Sequence, residues 1–525
     1  MKILITDPLA EEGMERLRCE EGFEVRKKVG LKEEELINLI ADYHALIIRS
    51  ETKVTARVIE AARNLKVIGR AGTGVDNIDI ESATKKGIVV MNAPEGNTIS
   101  AAEHTISMML ALSRNIPQAN ASLKRGEWDR KKFMGTEVYG KTLGIIGLGR
   151  IGREVARRAQ GLKMRVVAYD PFISKEKAEE MGVSLLSLEE LLPQVDFLSI
   201  HTPLTSQTRG LIGEREISLM KRGVRIINCA RGGIIQEDAL YQALKAGKIK
   251  GAALDVFEKG KPFDSPLLKL DSVILTPHLG ASTEEAQKRV AMDIATQVID
   301  FLKYGRIRNA VNFPAISSQV QEKITPYLSL AERIGNLEAQ LVEGHPIQVE
   351  VIYRGELASF EVTPLTRALI KGMLSFALPE VNYVNASILA RERGIKVVET
   401  KTLEAEDFTN LISVKLLTDK EEKRIDGTVF EGKVPHIVRI DDYSLDFVPQ
   451  GDFLICANVD RPGVVGKIGT VLGSYQVNIS GLRMGRKTPG GKNVSVYSLD
   501  NSPPPEAVKD LLKIKEILKV KVVRL

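Results

Sequence analysis

Short apolar runs of four or five residues alternate with amphipathic stretches along the first three hundred residues of this chain. Apolar runs at residues 3–6, 45–48, 67–68 and 88–91 read as strands, and stretches such as 33–42 and 56–62 between them read as helices. An apolar-striped helix at 99–112 leads to a second series of strands at 142–146, 165–169, 196–200, 224–228, 252–256 and 273–275. Strands that alternate with helices predict doubly wound parallel sheets. Val290, Ile294, Val298, Phe301 and Leu302 recur at helical spacing, which predicts a long helix that returns the chain to the first unit. After Asn312-Phe313-Pro314 helices and strands mix without a regular alternation. Strands and helices at 453–459, 464–473, 479–485, 493–499, 506–514 and 520–524 then spell βαββαβ, a ferredoxin-like module.

One turn in this pattern carries chemistry. Gly147-Leu148-Gly149-Arg150-Ile151-Gly152 follows the strand at 142–146 and opens a helix at 151–162, and the next strand ends at Asp170. The first glycine permits the tight turn, the second lets backbone approach a pyrophosphate, and the third lets helix pack on strand. The helix N-terminus offers unpaired N–H groups to the anion. Asp170, about 20 residues on, is placed to accept from ribose hydroxyls and to repel a 2′-phosphate, so NAD is expected rather than NADP.

In such sheets ligands bind beyond the carboxyl ends of the strands. Asp170, His201-Thr202, Cys229-Ala230-Arg231, Asp255 and Pro277-His278 all lie at such ends. Arg231 and His278 fit a catalytic pair: an imidazole takes the proton of a secondary alcohol, and a guanidinium holds a carboxylate bidentately without losing its charge. The alternative for His278 is a structural histidine. Cys229 reads as a small side chain beside the cofactor rather than a nucleophile. Arg49 and Arg70 end strands of the first unit and would face a doubly anionic substrate, or else are solvated surface arginines. Trp128, in a basic stretch from Gly126 to Lys132, reads as a subunit contact or as plain surface.

Composition narrows the partners. The 525 residues, 43% apolar and 27% charged, suit several ordinary globular domains, and a net charge of +6 gives no case for nucleic acid. Cys19, Cys229 and Cys456 have no metal-ligand spacing, so no metal is expected and a reducing compartment is. The opening residues are unlike a signal peptide and no apolar run suits a membrane span, which points to the cytoplasm.

Residues 69–77, the glycine turn, Asn228-Cys229-Ala230-Arg231-Gly232-Gly233 and the run from Pro277 to Thr283 resemble the D-isomer-specific 2-hydroxyacid dehydrogenases, in particular their long members. That resemblance implies an α/β fold with a flavodoxin-like substrate-binding domain (1–97, completed by 287–314) and a Rossmann NAD-binding domain (98–286). An α+β intervening domain (315–447) and an ACT regulatory domain (452–525) would follow. It implies NAD-dependent oxidation of 3-phospho-D-glycerate to 3-phosphooxypyruvate, the first step towards L-serine, in a homotetramer. Arg231 would bind and polarise substrate and His278 would shuttle the proton. Thr73, Arg150, Ile151, Asp170, Thr202, Cys229, Ala230, Arg231, Asp255, His278, Leu279, Gly280 and Ala281, with Gly147, Gly149 and Gly152, would contact the cofactor. Arg49, Arg70 and Asn97 would lie near substrate, and Asp460 and Asn478 would bind serine.

One position departs from the family pattern. The glutamate that orients the catalytic imidazole is Gly260 here and the residue after it is Lys261, with Glu258 a possible substitute two residues earlier. This predicts a less basic, less well-oriented His278. Two other readings follow: a glyoxylate or hydroxypyruvate reductase of the same family, and a weakly catalytic sensor of NAD and an amino acid.

Overall fold

The computed structural model describes residues 1–314, 318–378, 380–431 and 433–525. The expected start of the intervening segment, residue 315, lies outside the described residues. Four sheets organise the chain. In the first, five parallel strands run in the order Glu24–Lys27, Lys2–Ile5, Ala45–Ile48, Val67–Arg70, Val89–Asn92. The three inner strands are apolar and covered on both faces, as a parallel sheet requires.

The expected long helix, Glu284–Tyr304, returns to this sheet. It packs on the helix Glu11–Arg18 so closely that a Cβ on Gly13 would stand 2.7 Å from the Ala291 carbonyl oxygen. Past it, the Val311 N–H donates to the Val90 carbonyl at 2.7 Å, adding the returning chain to the sheet's edge.

The second sheet holds seven parallel strands in the order Val273–Leu275, Ile249–Leu254, Val224–Asn228, Phe197–Ile200, Thr142–Ile146, Arg165–Tyr169, Ser184–Leu185. Strand order reverses between Thr142–Ile146 and Phe197–Ile200, and a crevice opens beyond the carboxyl ends at such a switch point. The short strand Ser184–Leu185 was not expected from the pattern, because two residues carry no periodicity.

The third sheet is mixed, with six strands from Pro346–Gly355 to Tyr443–Phe447, crossed by the helices Ser318–Leu341 and Thr363–Ser375. The fourth orders Ile479–Arg486, Lys492–Leu499, Asp452–Val459 and Ile517–Arg524 antiparallel, the arrangement of the ferredoxin-like module. Phe453, Ile455, Val496 and Val523 of this last sheet join one continuous core with Leu330 and Ile334 of the helix Ser318–Leu341 and Val351 and Ile437 of the third sheet. Their periodicities read as two separate modules, yet the two share buried surface. The third sheet's unit also docks on the first: Asn382 donates from Nδ2 to the Gly87 carbonyl at 3.0 Å and Val384 joins the first unit's core.

Candidate active site

The glycine turn is built as the backbone chemistry demands. Gly147 has φ +92°, a conformation that disfavours any side chain, and a Cβ on Gly152 would stand 2.1 Å from the Gly147 carbonyl oxygen. A Cβ on Gly149, which precedes the helix Arg150–Gly161, would meet nothing within 4 Å, so its backbone is open to a ligand. Asp170 accepts the Leu148 N–H at 2.7 Å through Oδ2 and the Phe172 N–H at 2.9 Å through Oδ1, tying the turn to the end of the next strand. Further along the crevice the Thr202 hydroxyl is buried without a protein partner. Open backbone at a helix N-terminus, an acid at the next strand end and an unpaired buried hydroxyl together fit a dinucleotide.

A cleft of ≈ 310 Å³ lies between the first two sheets. Arg70, Thr73, Gly74, Asp76 and Asn97 line one side of it, and Arg150, Ile151, Thr202, Cys229, Ala230, Arg231, His278, Gly280 and Ala281 line the other. Both members of the expected pair therefore open into one space. Gly147, Gly149, Gly152 and Asp170 lie at the glycine turn, while Arg49, Asp255 and Leu279 stand behind or beside the lining.

Arg49 and Arg70 end adjacent strands, and the Nε of each is buried with no partner. Burial lowers Arg70 to about 10, with the like charges of Arg231 and Arg49 adding to the effect and Asp76 and Asp7 opposing it. With Arg49 and Arg231 close enough to act on it, Arg70 sits in a strongly cationic pocket. Thr73 donates to Asn97 Oδ1 at 2.7 Å, fixing that side of the cleft.

His278 sits in left-handed backbone, φ +58°, rare for a residue with a side chain. The carboxylate of Asp255, itself 0% exposed, holds this turn. Its Oδ1 accepts the Thr276 hydroxyl at 2.6 Å and the Leu279 N–H at 2.7 Å, and its Oδ2 accepts the Gly280 N–H at 2.9 Å. His104, on the helix Thr98–Arg114, places Nε2 3.3 Å from both Asp255 Oδ1 and the Thr276 hydroxyl. Burial would raise the Asp255 pKa, but hydrogen bonds from His104, Thr276 and Leu279 outweigh it and hold the carboxyl below its usual range. Although the His278 residue reaches solvent, protein atoms crowded round its ring lower its pKa; Arg231 and Arg70 add to that, and Asp255 and Asp76 oppose it.

The acids whose charge bears on His278 are thus Asp255 and Asp76. Glu258, the expected substitute, is exposed and donates its backbone N–H to Glu237, while Gly260 has φ +78° in open space. Burial and the charge of Asp255 push the Cys229 thiol up to about 12, which makes it no nucleophile. Sequence pattern gives no role to Asp76, His104 or Thr276. Asp76 lies inside the family-like run 69–77, and His104 is a lone histidine on an apolar helix, a weak signal.

Asp460 meets Arg486 at 3.1 Å at one end of the strand Ile479–Arg486, and Asn478 precedes the other end, so one copy of the chain does not bring them together. Trp128 is 77% exposed. Among the described residues no cluster could hold a metal ion, and no helix is long and apolar enough to cross a membrane.

Residues 106–280 match the model of the D-isomer specific 2-hydroxyacid dehydrogenase NAD binding domain. Residues 323–441 match the D-3-phosphoglycerate dehydrogenase intervening domain, and 453–516 the ACT domain. A D-3-phosphoglycerate dehydrogenase of Methanocaldococcus jannaschii is 50% identical over 100% of both chains, and one of Archaeoglobus fulgidus is 47% identical over 100% of both. The crystal structure of D-lactate dehydrogenase from Aquifex aeolicus, complexed with NAD and lactic acid, is 31% identical with a TM-score of 0.53, covering 60% of this chain and 100% of that one. End-to-end identity of this order, across all three matched modules, places the chain among the D-3-phosphoglycerate dehydrogenases of the D-isomer specific 2-hydroxyacid dehydrogenase family.

Proposed function

We propose that the chain oxidises 3-phospho-D-glycerate to 3-phosphooxypyruvate with NAD, opening a route to L-serine, and that His278 and Arg231 carry the reaction. The observation that carries this reading is a guanidinium and an imidazole on one side of a cleft, opposite Arg70, with Arg49 behind it and the Nε of both arginines buried and unpaired. A substrate with a carboxylate at one end and a phosphate at the other supplies an anion to each cationic wall.

Gly147, Gly149 and Gly152 would hold the pyrophosphate, Asp170 the adenosine ribose, and Thr73, Thr202, Cys229, Ala230, Asp255 and the turn from His278 to Ala281 the nicotinamide end. NAD, when bound, supplies the acceptor for the hydride that leaves C2. Arg231 holds the carboxylate and polarises the C2 oxygen, whose negative character grows as its proton leaves. His278 Nε2 or Nδ1 takes that proton. Its lowered pKa keeps the ring unprotonated near neutrality, the state a base needs. Arg49 and Arg70 receive the phosphate and Asn97 orients the substrate beside Thr73.

For regulation, L-serine would bind where Asp460 of one copy meets Asn478 of another, which requires an oligomer; the family arrangement is a tetramer. Exposed Trp128 and its basic neighbours would belong to a subunit contact. Three free thiols fit a reducing, cytoplasmic setting.

The test is initial-rate NADH formation from NAD with 3-phosphoglycerate or D-glycerate, and NADH consumption with hydroxypyruvate, each with and without L-serine. A preference of at least tenfold in kcat/KM for the phosphorylated acid supports the reading. Equal use of unphosphorylated acids would favour the reductase, and tight NAD binding without turnover the sensor.

A further inference from the structure

Asp76 stands in the cleft but belongs to neither the cofactor cradle nor the cationic wall. It comes from the first unit, in the loop after the strand Val67–Arg70, and its Oδ2 lies 3.0 Å from Nε of Arg231, which comes from the second unit. The loop is not free to wander. Asn77 donates from Nδ2 to the carbonyls of Arg49 at 2.8 Å and Thr52 at 2.6 Å, and the Val54 N–H donates to the Asn77 carbonyl at 2.8 Å. Asp76 is therefore presented to the cleft by a loop pinned to the segment that carries Arg49.

The donors of Arg231 can be counted. Nε–H is taken by Asp76, and Nη1 donates to the Ala230 carbonyl at 2.8 Å. Nη2 has no protein partner among the described residues and lies over Gly74, where a Cβ would stand 2.0 Å from it. With the Cδ–Nε bond of the side chain, the Asp76 and Ala230 bonds fix the guanidinium plane and leave Nη2 and the second Nη1–H as the edge offered to a ligand.

We propose that Asp76 is a positioning residue that reaches across the cleft to hold Arg231, so that the guanidinium takes its substrate-binding orientation only when the two units are closed on each other. Gly74 is part of the device, because only a residue without a Cβ leaves the guanidinium its place. Asp76 acts on His278 in the same direction. The charged groups facing that ring are Asp255, Arg231, Arg70 and Asp76, and the carboxylate of Asp76 opposes the two arginines.

This rests on the reading of Arg231 as the group that binds the substrate carboxylate, and the experiment separates the two. The full-length Asp76→Asn, Asp76→Glu and Gly74→Ala proteins are compared with wild type. The assays are NADH formation from 3-phosphoglycerate against pH, NAD affinity by calorimetry, and thermal unfolding. Expected for Asp76→Asn is a loss of at least tenfold in kcat/KM for 3-phosphoglycerate with NAD affinity and Tm unchanged. The acid limb of the pH profile should move to lower pH, because His278 loses a carboxylate that favours its protonated form. Asp76→Glu should recover most of the loss, and Gly74→Ala should reproduce it. Activity within twofold of wild type in Asp76→Asn, a glutamate variant no better than the asparagine one, or a loss of NAD affinity and Tm in parallel would each overturn the proposal. A wild-type protein inactive on 3-phosphoglycerate would instead overturn the assignment of substrate.

Discussion

Replacing Asp255 by asparagine is the sharpest test of how the His278 turn is held. The substitution keeps shape and one oxygen but removes the charge. Oδ1 now accepts the Thr276 hydroxyl and the Leu279 N–H, and Oδ2 accepts the Gly280 N–H, all within 2.9 Å in a fully buried setting. If the amide oxygen keeps the first two, its NH₂ faces the Gly280 N–H, donor against donor. Losing a hydrogen bond to a charged group costs roughly 1.5–3 kcal/mol, and an unsatisfied buried donor adds to that. A total of about 2–4 kcal/mol follows, and at about 1.4 kcal/mol per tenfold this bounds the rate loss at roughly 30- to 1,000-fold if the turn must be held for reaction. The strained φ of His278 makes relaxation of the turn the expected response. Kcat is measured at saturating NAD, so that a weakened cofactor contact does not mimic the effect, and Tm is measured alongside. Turnover within threefold of wild type and an unchanged Tm would refute the reasoning. The pH dependence has a definite sign. Because the folded carboxyl is held below its usual range, its contribution is complete above the ordinary aspartate pKa and is lost as pH falls through the lowered value. The asparagine variant should lose this part of the acid sensitivity.

Gly152→Ala should weaken NAD binding by at least tenfold in calorimetry, because its Cβ would stand 2.1 Å from a backbone oxygen of the glycine turn and that turn would have to move. Gly260→Glu adds a carboxylate on the loop beyond Asp255. If it reaches His278 it raises that group's pKa, and the acid limb of the oxidation rate moves to higher pH; an unmoved limb with unchanged kcat means the charges of Asp255 and Asp76 suffice. Cys229, pushed up to about 12, should resist iodoacetamide at pH 8 while exposed Cys19 is alkylated, as peptide mass spectrometry will show.

The parts of this protein that could be read from its sequence are those whose physical cause is local. The glycine turn announces itself because a positive φ, an open backbone and a helix–strand contact each demand glycine within six residues. The strand ends announce themselves because an apolar run stops where a polar group begins. What stayed hidden depends on pairs that only folding brings together. Asp76 and Arg231 are 155 residues apart, and Asp255 meets Thr276, Leu279 and Gly280 across 21 to 25 residues. Asp255 ends a strand, and the family resemblance makes it a cofactor contact. Three donors crowded on its carboxylate give it a second role that no strand-end rule contains. The same distinction explains the shared core of the two C-terminal modules: each has its own periodicity, but which face of one sheet meets which helix of the other is written in no local pattern. Gly260 sharpens the point. Losing a carboxylate from one loop is a local change, visible at once, whereas its consequence depends on what other acids the fold has carried to the imidazole. Asp255 comes from the unit that carries His278, whereas Arg70 and Asp76 come from the other unit and act on the imidazole in opposite directions, so the closing unit brings a base-weakening and a base-strengthening charge together. What closure adds without such an offset is the Asp76 contact on Arg231, so the two units meet to place the guanidinium rather than to tune the imidazole.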